Sequence, residues 1–79
     1  MTLRDRYKKL KKKYPNSVVL IKSGSFYNTY EDDAILIHEL LGYRLVNKRV
    51  GFPIYNLYKI NVIQNYVLVD NYTLIEVVR

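Results

Sequence analysis

Cysteine is absent from this chain of 79 residues, and histidine occurs only once. Without cysteine the protein can form neither a disulfide framework nor a cysteine-ligated zinc site. The single histidine, His38, has no partner with which to form a nucleophile-activating pair, and no Gly-rich phosphate loop of the P-loop type is present. The sequence therefore predicts no catalytic residue, no metal site, no cofactor and no ATPase activity.

An enzyme would have to be built from the acidic run Glu31, Asp32 and Asp33, with Lys22 nearby in the sequence. Acidic side chains can bind a divalent metal ion, as in a nuclease. However, consecutive acids at the start of a helix point in different directions around it, and they are explained by the positive end of the helix dipole. We therefore expect that the protein is not an enzyme.

Long apolar runs are also absent. No stretch approaches the roughly 20 residues that a membrane-spanning helix needs, and no apolar segment typical of a secretory signal follows Met1. These features predict a cytoplasmic protein with no membrane partner. The hydrophobic content of 49% is sufficient for a folded core. We expect one domain over residues 1–79, small enough that a partner would help to stabilise it.

Positive charge is in excess and unevenly distributed. The chain has 13 Lys and Arg residues against 7 Asp and Glu, a net charge of +6. Such an excess favours polyanionic partners, because Lys and Arg can neutralise phosphates of DNA or RNA without reading the sequence. The alternative is a solvated helix face that keeps a small protein soluble. The main cluster lies near the N-terminus: Arg4, Arg6, Lys8, Lys9, Lys11, Lys12 and Lys13.

The apolar pattern predicts a first helix and a hairpin in the N-terminal half. Thr2 is a suitable N-cap, and Pro15 ends the helix because proline disfavours the α conformation of the residue before it. One helical stripe predicted to pack on a sheet consists of Leu3, Tyr7, Leu10 and Tyr14. The aliphatic run 18–21 predicts a strand that is buried on both faces. A turn at 23–25 and a partner strand at 26–30 complete the hairpin.

The remaining elements are predicted from residue 31 onwards. A second helix is predicted to begin near Glu31 and to end before Gly42. The next predictions are a partly exposed strand at 43–50, a break at 51–53, a short helix within 54–64, and strands at 65–69 and 73–78.

Tyrosine is unusually abundant, with nine residues against two Phe and no Trp. We expect most of these side chains to be half-buried around a small core. Those in the C-terminal half could also stack on bases or lie in a protein interface. They are Tyr55, Tyr58, Tyr66 and Tyr72.

The segment 22–34 carries the most informative motif: a strand, a Ser-Gly-Ser turn, the pair Phe26-Tyr27 and an acidic helix start ending in Asp33-Ala34. It resembles the signature of the mismatch-recognition domain at the N-terminus of MutS proteins, where Phe-Tyr-Glu follows a turn glycine and Asp-Ala opens a helix. The resemblance extends over nearly the whole chain. Tyr14-Pro15 is similar to the end of the family's first helix, and 51–53 (Gly-Phe-Pro) is similar to its Gly-Val-Pro.

This resemblance implies an α/β (α+β) fold, a mixed β-sheet with helices packed on it. It also implies that Phe26 stacks on a base, although an arbitrary Phe would more often be a core residue. Tyr27 alternates with Phe26 and should point into the fold. Asn28 stands where the family has a Glu that hydrogen-bonds the mispaired base. Its amide offers both a donor and an acceptor to a base edge, so it could support general binding without mismatch selectivity. Alternatively, Asn28 satisfies only local backbone groups.

Two functions follow as hypotheses. The first is a nucleic-acid-binding module for distorted, mismatched or single-stranded DNA or RNA. The second is an accessory subunit that docks on a larger repair enzyme or reverse transcriptase, since domains similar to this one accompany the reverse transcriptases of diversity-generating retroelements. The residues predicted to contact nucleic acid are Phe26, Asn28, Lys8, Lys9, Lys11, Lys12 and Lys13.

Overall fold

The computed structural model describes every residue from Met1 to Arg79. It contains, in chain order, α1 (Leu3–Lys13), β1 (Val18–Ser23), β2 (Phe26–Tyr30), α2 (Glu31–Leu41), β3 (Arg49–Pro53), a 3₁₀-helix (Ile54–Val62), β4 (Tyr66–Asp70) and β5 (Thr73–Val78). None of these helices has the length and apolar composition needed to cross a membrane.

The strands form one sheet in the order β3-β2-β1-β4-β5. β1 pairs in parallel with β4, and the other neighbouring pairs are antiparallel. This mixed sheet with helices packed on it confirms the predicted fold class. β1 lies at the centre, and its residues Val18–Ile21 are all buried, as the continuous aliphatic run predicts.

One face of the sheet is covered by α1, and we call it the α1 face. Tyr7 of α1 packs in a buried cluster with Val19, Ile21 and Tyr30 of the sheet. Thr2 caps the helix: its hydroxyl accepts from the Asp5 N–H while the Asp5 carboxylate accepts from the Thr2 N–H. The predicted N-cap is therefore confirmed, and so is the stripe for Leu3, Tyr7 and Leu10; Tyr14 is the C-cap of the helix and is not part of this cluster.

The opposite face is covered by α2 and the 3₁₀-helix. Leu20 and Phe52 from this face form a larger buried cluster with Ile37 of α2 and Ile60 of the 3₁₀-helix. Leu20 alternates with Val19 and Ile21 along β1, so the two clusters lie on opposite sides of the sheet. The sequence predicts the helix within 54–64 correctly, but it adopts the tighter 3₁₀ form.

Two predictions for residues 43–53 are wrong. Residues 43–48 do not form a strand: Asn47 and Lys48 both have positive φ (51° and 53°) and make a tight turn between Val46 and Arg49. The predicted break at 51–53 instead belongs to β3. Pro53 is tolerated because β3 is the last strand on its side of the sheet, where a missing N–H need not break a ladder.

Asp33 joins α1, α2 and β1 through one buried carboxylate. Its Oδ2 accepts from the Tyr7 hydroxyl at 2.7 Å and from the Val19 N–H at 3.1 Å. The Lys11 ammonium donates to both oxygens, at 2.9 and 3.0 Å. Burial, together with this hydrogen bond to Asp33, raises the pKa of Tyr7 far above its ordinary value. The Tyr7 hydroxyl is therefore a permanent donor at neutral pH.

We expect Asp33→Ala to lower the free energy of unfolding by about 3–5 kcal/mol. The substitution would leave the Tyr7 hydroxyl and the Val19 N–H without a buried acceptor and the Lys11 ammonium without its counter-ion. Urea unfolding at neutral pH measures the change. Asp32→Ala is the matched control, because Asp32 is exposed on the same helical turn and its loss should cost less than about 1 kcal/mol. Equal effects of the two substitutions would contradict the role assigned to Asp33.

Candidate nucleic-acid interface

The β1–β2 turn presents Phe26 at one end of the sheet. Gly24 adopts φ 61°, a conformation that glycine accepts without strain. Phe26 then opens β2, and its side chain is 49% exposed. Tyr27 points to the opposite face, where it is 5% exposed and stacks on Phe52 with ring centroids 6.1 Å apart. The predicted alternation of Phe26 and Tyr27 is confirmed, and the anchored Tyr27 fixes the strand that presents Phe26.

Asn28 lies on the same face as Phe26, as the strand period predicts, but much deeper. Its side chain is 6% exposed, and Nδ2 donates weakly to the Ile21 carbonyl at 3.5 Å. A Cβ at residue 51 would come within 3.1 Å of the Asn28 Oδ1, so Gly51 leaves room for this amide. Asn28 therefore contributes a buried polar group on the face of β2 that presents Phe26.

A cleft of about 330 Å³ lies beside Phe26. Asn28 and Gly51 line it together with Arg49, an exposed residue of β3. The sequence shows Arg49 only as part of a small basic pair with Lys48. Its position depends on the pairing of β3 with β2, which places Arg49 opposite Tyr30. Leu3 and Ser23 complete the lining.

The basic helix α1 begins at this cleft, because Leu3 is one of the lining residues. Its exposed lysines are Lys8, Lys9, Lys12 and Lys13. Lys8 and Lys12 line a groove that also contains the acidic residues Glu31 and Asp32. Lys9 and Lys13 lie on the other flank of the helix, given its period of 3.6 residues. The positive field of α1 is therefore less compensated on the Lys9 flank.

Lys11 differs from its neighbours. Its ammonium donates to the Ser17 carbonyl at 2.6 Å as well as to both oxygens of Asp33. These bonds occupy the three donors of the ammonium. The structure thus supplies an internal partner for Lys11, whereas the other predicted lysines extend into solvent.

Two of the three acidic residues at the start of α2 also have partners within the fold. Glu31 accepts from Arg4 at 2.7 Å, and Asp33 belongs to the buried network. His38 lies near the end of α2, with Nδ1 2.6 Å from the Tyr43 carbonyl oxygen. No group of three or more His, Asp or Glu side chains is placed to hold a metal ion.

Comparison with known proteins gives one family. The model of MutS domain I matches residues 2–66, which include the Phe26 cleft and most of the sheet. The DNA mismatch repair protein MutS of Flavobacterium psychrophilum is 37% identical over 51 residues, 65% of this chain and 6% of the relative. The MutS proteins of Bacteroides fragilis and Chloroflexus aurantiacus are 45% identical over 42 residues and 44% over 43 residues.

These two matches cover 53% and 54% of this chain, and 5% and 4% of the respective relatives. The chain thus spans only a small part of the length of the relatives that it matches. The family model, however, covers well over half of the chain, and it includes the turn, the aromatic pair and the acidic helix start that carry the resemblance. The chain belongs to the MutS domain I family.

Proposed function

We propose that this protein is a DNA-binding module that holds distorted, mismatched or single-stranded DNA against its α1 face, with Phe26 as the stacking side chain. The observation that supports it best is a half-exposed Phe26 on the same face as a basic helix, in a chain of the MutS domain I family. The relatives that it matches are named DNA mismatch repair proteins, which favours DNA as the ligand.

Phe26 is suited to act as a wedge. Apolar side chains inserted between base steps from the minor groove unstack them and kink the duplex. A wedge must be held rigidly, and the neighbouring Tyr27 supplies that rigidity by packing on Phe52 in the core. A base that is mispaired or already unpaired costs less to unstack, so distorted DNA is the favoured substrate.

The energy of kinking DNA has to be offset by contacts with the phosphates. The exposed lysines of α1 can supply these contacts, and Arg49 adds a positive charge inside the cleft. Such contacts position the DNA without reading its sequence. In this proposal Lys8, Lys9, Lys12 and Lys13 contact phosphates, while Lys11 maintains the fold through Asp33.

Asn28 sets the expected selectivity. A neutral amide in place of the family's Glu does not repel the phosphate backbone, and it can donate or accept a hydrogen bond. Since the side chain is 6% exposed, it can meet a base edge only at the bottom of the cleft. We therefore propose that the protein binds distorted DNA in general and prefers a mismatched duplex to a fully paired one only slightly.

A second candidate function is that of an accessory subunit on a larger repair enzyme or reverse transcriptase. The observation that favours it is the outer strand β5, where Leu74 and Ile75 are 49% and 48% exposed. An outer strand has unpaired backbone N–H and C=O groups, and a strand of a partner protein can pair with them and extend the sheet. This surface lies at the edge of the sheet farthest from β3, so it leaves the Phe26 cleft free.

Removing charge from α1 tests the phosphate contacts. We expect the double variant Lys9→Gln, Lys13→Gln to flatten the slope of log K against log salt, by up to about 0.9 per lost contact on duplex DNA and about 0.7 on single strands. The variant Lys8→Gln, Lys12→Gln should flatten it less, because the exposed carboxylate of Asp32 lines the same groove and offsets part of that charge. Fluorescence anisotropy over a range of salt concentrations measures the slopes.

The matched control is Arg44→Gln, Lys59→Gln, which removes the same charge away from the α1 face. Its slope should equal that of the wild type. If the control variant flattens the slope as much as the α1 variants, net charge alone drives binding and α1 is not the interface.

Truncation of Phe26 separates a wedge from a core residue. Because Phe26 is half exposed, Phe26→Ala should melt close to the wild type and lose about 1–3 kcal/mol of binding to DNA with mismatched or unpaired bases. Tyr27→Ala should instead lower the free energy of unfolding by about 3–5 kcal/mol, as for a buried aromatic residue. Thermal melting and binding isotherms on the same samples measure both effects.

Two results would overturn the wedge. One is a Phe26→Ala protein that unfolds as easily as Tyr27→Ala, which would make Phe26 a structural residue. The other is a folded Phe26→Ala protein that binds every DNA as the wild type does.

A further inference from the structure

Tyr72 lies at the same end of the sheet as Phe26. Lys22, near the end of β1, pairs with Asp70 at the end of the parallel strand β4. The next residue of β1, Ser23, pairs with Phe26. The β1–β2 and β4–β5 turns are therefore neighbours, and Tyr72 in the second turn is 71% exposed. Tyr72 falls beyond the residues matched by the family model, which end at 66.

Arg6 holds the Tyr72 ring on the α1 face. The Arg6 guanidinium carbon is 4.0 Å from the centre of the ring, and Nη1 donates to the Asn71 side chain at 2.6 Å. Because Arg6 belongs to α1, the ring lies on the side of the sheet that α1 covers. Leu3 of the same helix lines the Phe26 cleft one turn earlier. Phe26 and Tyr72 thus flank the first half of α1.

The two rings are too far apart for adjacent bases of a stacked duplex. Phe26 is on β2 and Tyr72 follows β4, with β1 between them, so their strands are about 10 Å apart at roughly 4.8 Å per strand. Successive bases in a stacked strand are only about 3.4 Å apart. A strand that is unstacked between the two rings can place one base on each of them, whereas the bases of a regular duplex already have both faces covered by their neighbours.

The surroundings of Tyr72 suit a polyanion. Arg6 is at the ring, and Lys9 and Lys13 continue along the same flank of α1. Aromatic rings combined with a positively charged track are the features by which proteins bind single strands without sequence preference. An arginine that is already stacked on the aromatic ring also contributes a planar donor group to phosphates.

We propose that the Arg6–Tyr72 pair is a second stacking platform, and that an unpaired DNA segment, spanning from Phe26 to Tyr72, is the preferred ligand. This inference rests on the proposed function of Phe26. It names the substrate class within that function: single-stranded or looped DNA rather than a duplex with one mispaired base.

Binding of a single-stranded oligothymidylate and of a fully paired duplex to the full chain tests this inference. Tyr72→Ala should weaken single-strand binding about 5- to 100-fold and duplex binding much less. The salt slope should not change, because no charge is removed. Tyr72→Phe should bind as the wild type does, since the ring is retained. Tyr58→Ala is the matched control: Tyr58 is 69% exposed, but it lies on the 3₁₀-helix of the opposite face, and its loss should have no effect.

The outcomes separate this inference from the function on which it rests. If Phe26→Ala weakens single-strand binding and Tyr72→Ala does not, the second platform is wrong and the proposed function stands. If both variants bind as the wild type does, the proposed function and this inference both fail. A Tyr72→Ala variant that weakens single-strand and duplex binding equally, or a Tyr72→Phe variant as weak as Tyr72→Ala, would also overturn the stacking platform.

Discussion

The carboxylate of Asp33 is the contact on which the arrangement of this small fold depends. It accepts hydrogen bonds from α1 (Tyr7 and Lys11) and from the backbone of the central strand at Val19, while it belongs to the first turn of α2. β2 ends where α2 begins, so the Val19 N–H has no strand partner on that side, and Asp33 takes its place. A buried polar group of this kind is stable only when it is fully paired. Here the pairing fixes α1 across the sheet.

Because α1 is fixed, the surface beside it is also fixed. The start of the helix borders the Phe26 cleft through Leu3, and one turn later Arg6 holds the β4–β5 turn through Asn71 and Tyr72. The proposed binding of DNA would then require little ordering of the protein, which lowers the entropic cost of binding. The same network removes one lysine from the exposed basic surface, because the ammonium of Lys11 is bonded to the Asp33 carboxylate. The protein thus presents exposed aromatic rings and basic side chains on the same face.

Local signals in the sequence were sufficient for most of the fold. Four correct predictions depend only on residues close in sequence: the Thr2 cap, the Tyr7 stripe, the aliphatic β1 and the alternation of Phe26 and Tyr27. The structure confirms all four.

The wrong predictions depended on distant contacts. Phe52 is a strand residue because β3 pairs with β2, and no pattern within 43–53 shows that partner. Likewise, the sequence explained the acidic run only by the helix dipole, whereas the buried hydrogen bond of Asp33 depends on the position of Tyr7 in α1. The positions of Arg49 in the cleft and of the Arg6–Tyr72 pair could be predicted only if the order of the strands in the sheet were known.

If the proposed function is correct, DNA binds to the α1 face. Chemical-shift mapping of the backbone amides by ¹H–¹⁵N NMR, during titration with DNA that carries an unpaired loop, tests it most directly. We expect the largest changes along α1, in the β1–β2 turn around Phe26 and in the β4–β5 turn around Tyr72. The amides of α2 and of the 3₁₀-helix on the opposite face should change little. Changes concentrated on α2, on the 3₁₀-helix or along the outer edge of β5, with the α1 face unaffected, would show that DNA binds elsewhere.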